Sequence, residues 1–473
     1  MIALVLSSIS LRAPLAAETR LPVKAFANQK WTGDFDAMMR RWVMRVLVVP
    51  SKTLYFVDRG QQRGIVYDAF KEFEDEVNRK LKKGQRPLHV VFIPVPRDEL
   101  LTRIANGLGD VAAGGLTVTP ERRELVDFTS PTFSGVDEIV VSGPRSPRLS
   151  TVDDLAGREV FVRKSSSYYE SLVELNRELR RKGKAEAVLR LAPEELEDED
   201  LLEMINAGLV KFIVVDKYKA EFWAQVFTRI RLHPEAAIRK GSDLAWAIRK
   251  GSPQLKAKLD AFIKTHRQGT TFGNVLLHRY LKSTEYVKNA TAEREMKKFR
   301  DVVRFFEKYG NQYGLDPLLL MAQGYQESRL DHSTRSRVGA VGVMQVMPPT
   351  GKEMGVGDIR KLEPNIHAGV KYIRFMEDQY YANEPMDPVN KALFAFASYN
   401  AGPAKIEKAR VEAKARGLDP NRWFFNVAPV VRERIGREPV QYVANIYKYY
   451  IAYKLISESL QAKEAAKKSL NGN

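Results

Sequence analysis

The chain has no cysteine among its 473 residues. That absence excludes disulfides, thiolate metal sites and a cysteine nucleophile, and it removes the acylated N-terminal cysteine that anchors a lipoprotein. No long apolar run is present near the N-terminus either. The stretch Ile2 to Leu11, ending near Ala16-Ala17, is too short to span a bilayer. It reads as a secretory signal or N-terminal anchor over residues 1–25; no Lys or Arg precedes it, which leaves the start site open. Acidic charge is in deficit: 58 Asp+Glu against 76 Lys+Arg give a formal net charge of +18. Such a surface is drawn to anionic polymers and membranes, and charge alone does not choose among nucleic acid, phospholipid and an acidic cell wall. A nucleic-acid-binding fingerprint is missing. The basic residues are scattered (Arg40, Arg41, Lys82, Lys83, Arg180 to Lys182, Lys297, Lys298), as on solvated helix faces, so no nucleic-acid partner is expected. Internal repeats and low-complexity segments are also absent.

What is present is a soluble globular composition, 44% hydrophobic and 28% charged, in a chain too long for one core. From Arg45 to about Ile248, short β-branched runs alternate with amphipathic helical stretches: Val46 to Val49, Tyr67 to Lys83, His89 to Ile93, Asp98 to Asn106. A second set follows Ser146-Pro147, with Glu159 to Val162, Tyr168 to Arg181, Ala187 to Leu191 and Phe212 to Val215. This rhythm predicts two α/β lobes in tandem, with a cleft between them. After about Leu281 the strand signals stop and helical patterns continue, broken by loops at Gly339 to Gly357 and Gly402-Pro403. The expected fold class is multidomain α/β plus all-α: a bilobal domain over 42–270, a linker over 271–297, an all-α domain of lysozyme-like size over 298–460, and a polar tail over 461–473.

One carboxyl stands out. Asp316-Pro317 is a strong helix start, with Asp as N-cap and Pro at the first helical position, and Leu318 to Ala322 are good helix formers. Glu327 then falls near the end of that helix, on one stripe with Leu320, Gln323 and Gly324. A carboxyl on an inward stripe is partly desolvated, which raises its pKa and suits it to donate a proton near neutral pH. The competing expectation is an ordinary glutamate paired with Arg329 or Ser328.

The downstream residues resemble the goose-type lysozyme-like domain of the soluble lytic murein transglycosylases. The resemblance rests on Glu327-Ser328, Ser336 nine residues on, Gly342-Val343-Met344-Gln345-Val346-Met347-Pro348, Ser398-Tyr399-Asn400-Ala401-Gly402, and Glu438-Pro439-Val440-Gln441-Tyr442-Val443. These run in the family's order over roughly the last 170 residues. Val343, Ser398 and Pro439 depart from the usual Leu, Ala and Thr, which makes Glu438 the least secure assignment. The resemblance implies that Glu327 protonates the glycosidic oxygen between N-acetylmuramic acid and N-acetylglucosamine. It then takes the proton of the muramyl C6 hydroxyl as that oxygen attacks C1, leaving a 1,6-anhydromuramyl end. Ser336, Gln345, Met347, Tyr399, Asn400, Glu438 and Tyr442 are expected to contact substrate; Asn400 has the alternative of capping its helix. True hydrolysis would need a second carboxylate, for which Glu363 and Glu438 are the candidates. A wall-anchored sensor without catalysis is the other alternative.

In the first half, Leu116-Thr117-Val118-Thr119-Pro120-Glu121-Arg122-Arg123 and Val126 to Pro131 resemble the periplasmic amino-acid-binding proteins of the solute-binding type. That implies Arg122 clamping a ligand carboxylate bidentately, Asp216 taking an ammonium, Thr117 and Ser166 supplying hydroxyls, and Tyr55 covering the side chain. Gly114-Gly115 departs from the polar residues common there. The two domains in this order resemble the membrane-bound lytic murein transglycosylases. Expected partners are therefore peptidoglycan glycan strands and an amino-acid or muropeptide effector. The expected location is the periplasm, peripherally on the outer membrane, and no cofactor or metal is expected.

Overall fold

The computed structural model describes residues 27–58, 60–82, 85–144, 146–284 and 293–471; the expected signal segment over 1–25 lies outside them. The described chain divides into two compact units, one of residues 27–56, 63–284 and 458–471, the other of 57–62 and 293–457.

Eleven strands are described, nine of them forming the sheet of the first unit: β1 (Val43–Val48), β2 (Phe56–Asp58), β3 (Gln61–Arg63), β4 (His89–Pro94), β5 (Val111–Thr117), β6 (Asp127–Phe128), β7 (Phe133–Ser142), β8 (Glu159–Arg163), β9 (Val188–Ala192), β10 (Phe212–Asp216) and β11 (Arg231–Ile248). All but the β2–β3 pair join one sheet in the order β4-β1-β5-β11-β7-β10-β8-β9, with β6 paired to β11. Two parallel cores, β4-β1-β5 and β10-β8-β9, form the lobes. They are joined by β7 and β11, which are antiparallel to each other and whose register shifts four times between His233 and Leu244. The β-branched runs behave as parallel strands must when both faces are covered: β10 is buried along its length, and β1 from Met44 onward. Helix Ser167–Arg181 starts at Ser166, whose hydroxyl accepts the Tyr169 N–H, and lays Leu172, Leu175 and Leu179 on the second lobe's core. The stretch expected to open the linker is helical: Thr270 caps helix Thr271–Leu281, which buries Leu276 and Tyr280. Burial of those two side chains holds it to the first unit.

The second unit is helical, and proline marks its helix starts. Pro317, Pro348, Pro388 and Pro403 each occupy the first position of a helix, where the missing N–H costs nothing. Asp316 and Asp387 cap two of them, accepting N–H groups of Leu318 and Asn390. Asn400 lies inside the last turn of helix Pro388–Ala401 and does not cap it; Gly402, at φ 89°, does. Helix Arg437–Asn471 continues through the residues expected as a polar tail, and Pro439 fits its first turn, where no backbone donor is needed. Among the described residues no helix is long and apolar enough to cross a membrane.

Candidate active site

Glu327 is half-buried in the last turn of helix Pro317–Ser328. Its stripe faces inward as expected, with Leu320 and Gln323 at 1% and 0% exposure. Gly324 is required on that stripe, because a Cβ there would lie 2.7 Å from Phe306 Cζ. The helix stops sharply, since Arg329 and Leu330 both take left-handed backbone at φ 59° and 62°, at a cost of about 1–2 kcal/mol each. Arg329 recovers part of this by lying 4.8 Å over the Tyr325 ring and donating to Tyr449 Oη at 3.3 Å. Arg329 is thus engaged elsewhere, and Ser328 Oγ donates to the Val343 carbonyl at 2.8 Å. Glu327 is instead paired with Tyr442, whose hydroxyl donates to Oε1 at 2.5 Å, while Gln323 Nε2 donates to Tyr442 Oη at 3.1 Å.

Burial pushes the Glu327 carboxyl from the ordinary 4.5 up to about 7, against the opposing hydrogen bond from Tyr442. Burial, then the Glu327 charge, hold the Tyr442 and Tyr399 phenols well above their usual range, so both remain donors at any working pH. Glu327, Tyr399 and Tyr442 are therefore one electrostatic group.

The loop over residues 334–346 is wired from several sides. Tyr399 Oη donates to the Met344 carbonyl at 2.7 Å, and Gln345, at φ 46°, turns its amide back on the Gly342 and Thr334 carbonyls at 2.8 and 3.3 Å. Ser336 Oγ accepts the Ala340 N–H at 2.9 Å. Asn365, fully buried, accepts the Met344 N–H at 3.0 Å and donates to the Val341 and Ile359 carbonyls at 2.7 and 3.2 Å. Of the hydrogen-bonding groups expected at the sugar, the Gln345 amide hydrogens and the Tyr399 proton are thus spent on holding this loop. The Gln345 carbonyl and the hydroxyls' remaining capacity are what they can offer outward.

Met347 is 38% exposed beside the loop, at the start of helix Pro348–Met354, and Asn400 is exposed. Glu438 is exposed in the first turn of helix Arg437–Asn471, one turn before Tyr442. Glu363 accepts from Lys308 Nζ at 2.7 Å and Tyr309 Oη at 2.9 Å, which hold its carboxyl below the ordinary range. Gln323 and Asn365 had no assigned role in the sequence. The available signals were Gln323's place one turn before Glu327 and a lone amide beside Ile366 and Ala368, both buried.

In the first unit, a cavity of about 300 Å³ is walled by Thr117 and Arg122 from one lobe and Ser166 and Glu170 from the other. Arg122 donates from Nη1 to the Thr117 carbonyl, from Nη2 to the Ser165 carbonyl and from Nε to Glu170 Oε1, each at 3.1 Å. Thr117 Oγ1 lies 3.1 Å from Ser167 Oγ. Ser166 Oγ is spent on its helix cap and on the Arg163 carbonyl at 2.7 Å. Two expectations are corrected. Asp216 lies outside the wall, 1% exposed, with Lys219 Nζ 2.8 Å from its Oδ2, so the chain's own ammonium takes the place foreseen for a ligand's. Tyr55 is fully buried and stacks on Phe92 at 5.3 Å, because an aromatic among β-branched neighbours packs the lobe core equally well.

Residues 44–282 match the bacterial extracellular solute-binding proteins, family 3, over half of the chain, and the protein belongs to that family. Residues 304–420 match the transglycosylase SLT domain. The chain is similar to the membrane-bound lytic murein transglycosylase F of Desulfosudis oleivorans, 29% identical over 89% of this chain and 93% of that protein. The protein of the same name from Pseudomonas fluorescens is 27% identical over 86% of this chain and 84% of its own length. Among solved structures, the amino acid ABC transporter substrate-binding protein AbpA of Streptococcus pneumoniae, bound to L-arginine, covers 52% of this chain and 98% of that chain at 18% identity and a TM-score of 0.44.

Proposed function

We infer that this protein is a lytic transglycosylase of peptidoglycan, acting in the cell envelope. It cleaves the bond between N-acetylmuramic acid and N-acetylglucosamine without water, leaving 1,6-anhydromuramyl ends. The observation that carries the reading is a single half-buried carboxyl, Glu327, raised to about 7 and paired with a phenol rather than with a cation or a second acid. A group with that pKa is protonated often enough to give a proton to the leaving oxygen, and ionised often enough to take one back. Glu327 first acts as acid, so the bond from C1 to the leaving oxygen breaks with proton transfer to that oxygen. The carboxylate so formed then removes the C6 hydroxyl proton as that oxygen bonds C1, which restores Glu327. Tyr442 supports the anionic form between the two steps, and Gln323, buried behind it, supports the phenol's placement. Gln345, Tyr399, Ser336, Met347 and Asn400 line the sugar path in this reading, with Glu438 at its edge. Against hydrolysis, burial and the Tyr442 hydroxyl account for the Glu327 shift with no second carboxylate contributing, and Glu363 is held by Lys308 and Tyr309.

The front domain is the regulatory part: Arg122 anchors the carboxylate of an amino acid or muropeptide fragment, and binding alters turnover at Glu327. A ligand can do so only through its differential affinity for two lobe arrangements. The +18 charge supports peripheral attachment to the anionic outer membrane.

The full-length protein should release soluble muropeptides from purified sacculi; sacculi left intact by folded protein would leave only the sensing alternative. Tyr442→Phe provides a second check. The hydroxyl's hydrogen bond favours the carboxylate, so its loss raises the Glu327 pKa further. The alkaline fall in kcat/KM should move up by about half to one pH unit, and an unmoved limb would remove Tyr442 from this role.

A further inference from the structure

The cavity wall of the first unit carries buried cations, and each is neutralised by the chain itself. Arg97 holds Glu197 through two hydrogen bonds of 2.9 and 2.6 Å, with both side chains at most 7% exposed. Arg163 is 2.5 Å from Asp198, and Lys219 is shared by Asp198 at 2.7 Å and Asp216 at 2.8 Å. Arg122 differs. Two of its hydrogen bonds go to neutral carbonyls, and the carboxylate paired with it is Glu170, through one bond of 3.1 Å. Glu170 is 27% exposed on a long side chain, and its other oxygen, Oε2, has no hydrogen-bond partner among the described residues and lies 4.0 Å from Arg239 Nη2.

Glu170 stands on helix Ser167–Arg181 of the second lobe, Arg122 on helix Pro120–Leu125 of the first. Their pair therefore crosses the cleft in the place that a small carboxylate would take between Arg122 and Arg239. It is held by a single hydrogen bond through Nε, with Glu170 27% exposed and its second oxygen without a hydrogen-bond partner among the described residues. A single hydrogen bond to a carboxylate that reaches solvent is exchanged more readily than the two-bond Arg97–Glu197 pair, which is shielded from water.

We propose that Glu170 is a built-in competitor for the ligand carboxylate at Arg122, displaced when ligand binds, and so sets the affinity of the front domain. This rests on the reading of that domain as a carboxylate binder. Displacement exchanges one carboxylate for another on Arg122 and frees Glu170 to solvent at the rim, so the charge of the wall stays balanced. The competitor's strength subtracts directly from the ligand's.

The test is calorimetric titration of the full chain with the common L-amino acids, tested singly, for wild type, Glu170→Gln, Arg122→Gln and the double variant. Glu170→Gln keeps the shape and removes the charge, so at least one amino acid should bind it several-fold tighter than wild type, up to about fivefold. In the Arg122→Gln background the same change should give no gain, which a merely structural role for Glu170 would not predict. Binding to wild type that is equal to or tighter than binding to Glu170→Gln overturns the proposal and leaves the carboxylate-binding reading intact. Binding by neither chain overturns both.

Discussion

Replacing Glu327 by Gln should lower muropeptide release by at least about a thousandfold while leaving the chain folded and, above neutral pH, more stable. Positioned acid or base catalysis contributes about 10²–10⁴ in rate. Glu327 serves as both in the proposed reaction, so the upper part of that range applies. Gln keeps an acceptor for the Tyr442 hydroxyl, so the Gln323–Tyr442 arrangement survives the change. The stability effect follows from the raised pKa. Between the ordinary 4.5 and about 7, the folded chain holds a proton that the unfolded chain has lost. Stability therefore falls as pH rises through that window, and the cost is complete above it. Removing the charge removes the cost, worth on the order of 2 kcal/mol at pH 8 once partial exposure is allowed for. Urea unfolding at pH 5 and pH 8 reads this directly: the variant should gain on wild type at the higher pH and little at the lower. For the wild type, kcat/KM should fall on the alkaline side with a midpoint near 7, as the acid form is lost.

Asn365→Ala should cost the helical unit about 3–4 kcal/mol. Its amide answers three backbone groups in the buried turn, the Met344 N–H and the Val341 and Ile359 carbonyls. Alanine would leave them unsatisfied away from water, and each orphan costs about 1–3 kcal/mol, less whatever the loop recovers by shifting. Met344 is also where Tyr399 attaches and adjoins Gln345, so turnover should fall along with the unfolding midpoint. A variant whose urea midpoint and activity both match wild type would show that the loop is held by its other contacts alone.

The contrast between these residues shows what the sequence carries. Glu327 was legible because local rules reach it: Asp316-Pro317 fixes the helix start, and counting forward puts the carboxyl on the inner stripe beside Gln323 and Gly324. The two lobes were legible because β-branched runs and amphipathic stretches alternate with the periods of strand and helix. The partners of the site residues were not. Tyr442 meets Glu327 across 115 positions and Gln323 across 119, and Arg122 meets Glu170 across 48, distances at which no periodicity operates. Lys219 was nearer to hand: it is three residues after Asp216, a spacing that brings side chains together once the helix starts. Tyr55 failed for a different reason. An aromatic beside a strand end suits a cleft wall and a lobe core alike, and only the packing against Phe92 decides between them.

The most direct measurement is digestion of purified sacculi in heavy-oxygen water, followed by mass spectrometry of the released muramyl ends. A lone carboxyl that returns the proton of the C6 hydroxyl predicts anhydromuramyl ends that carry no label. Reducing ends bearing one heavy oxygen would mean that water, not the sugar's own hydroxyl, attacks C1, and would contradict the account.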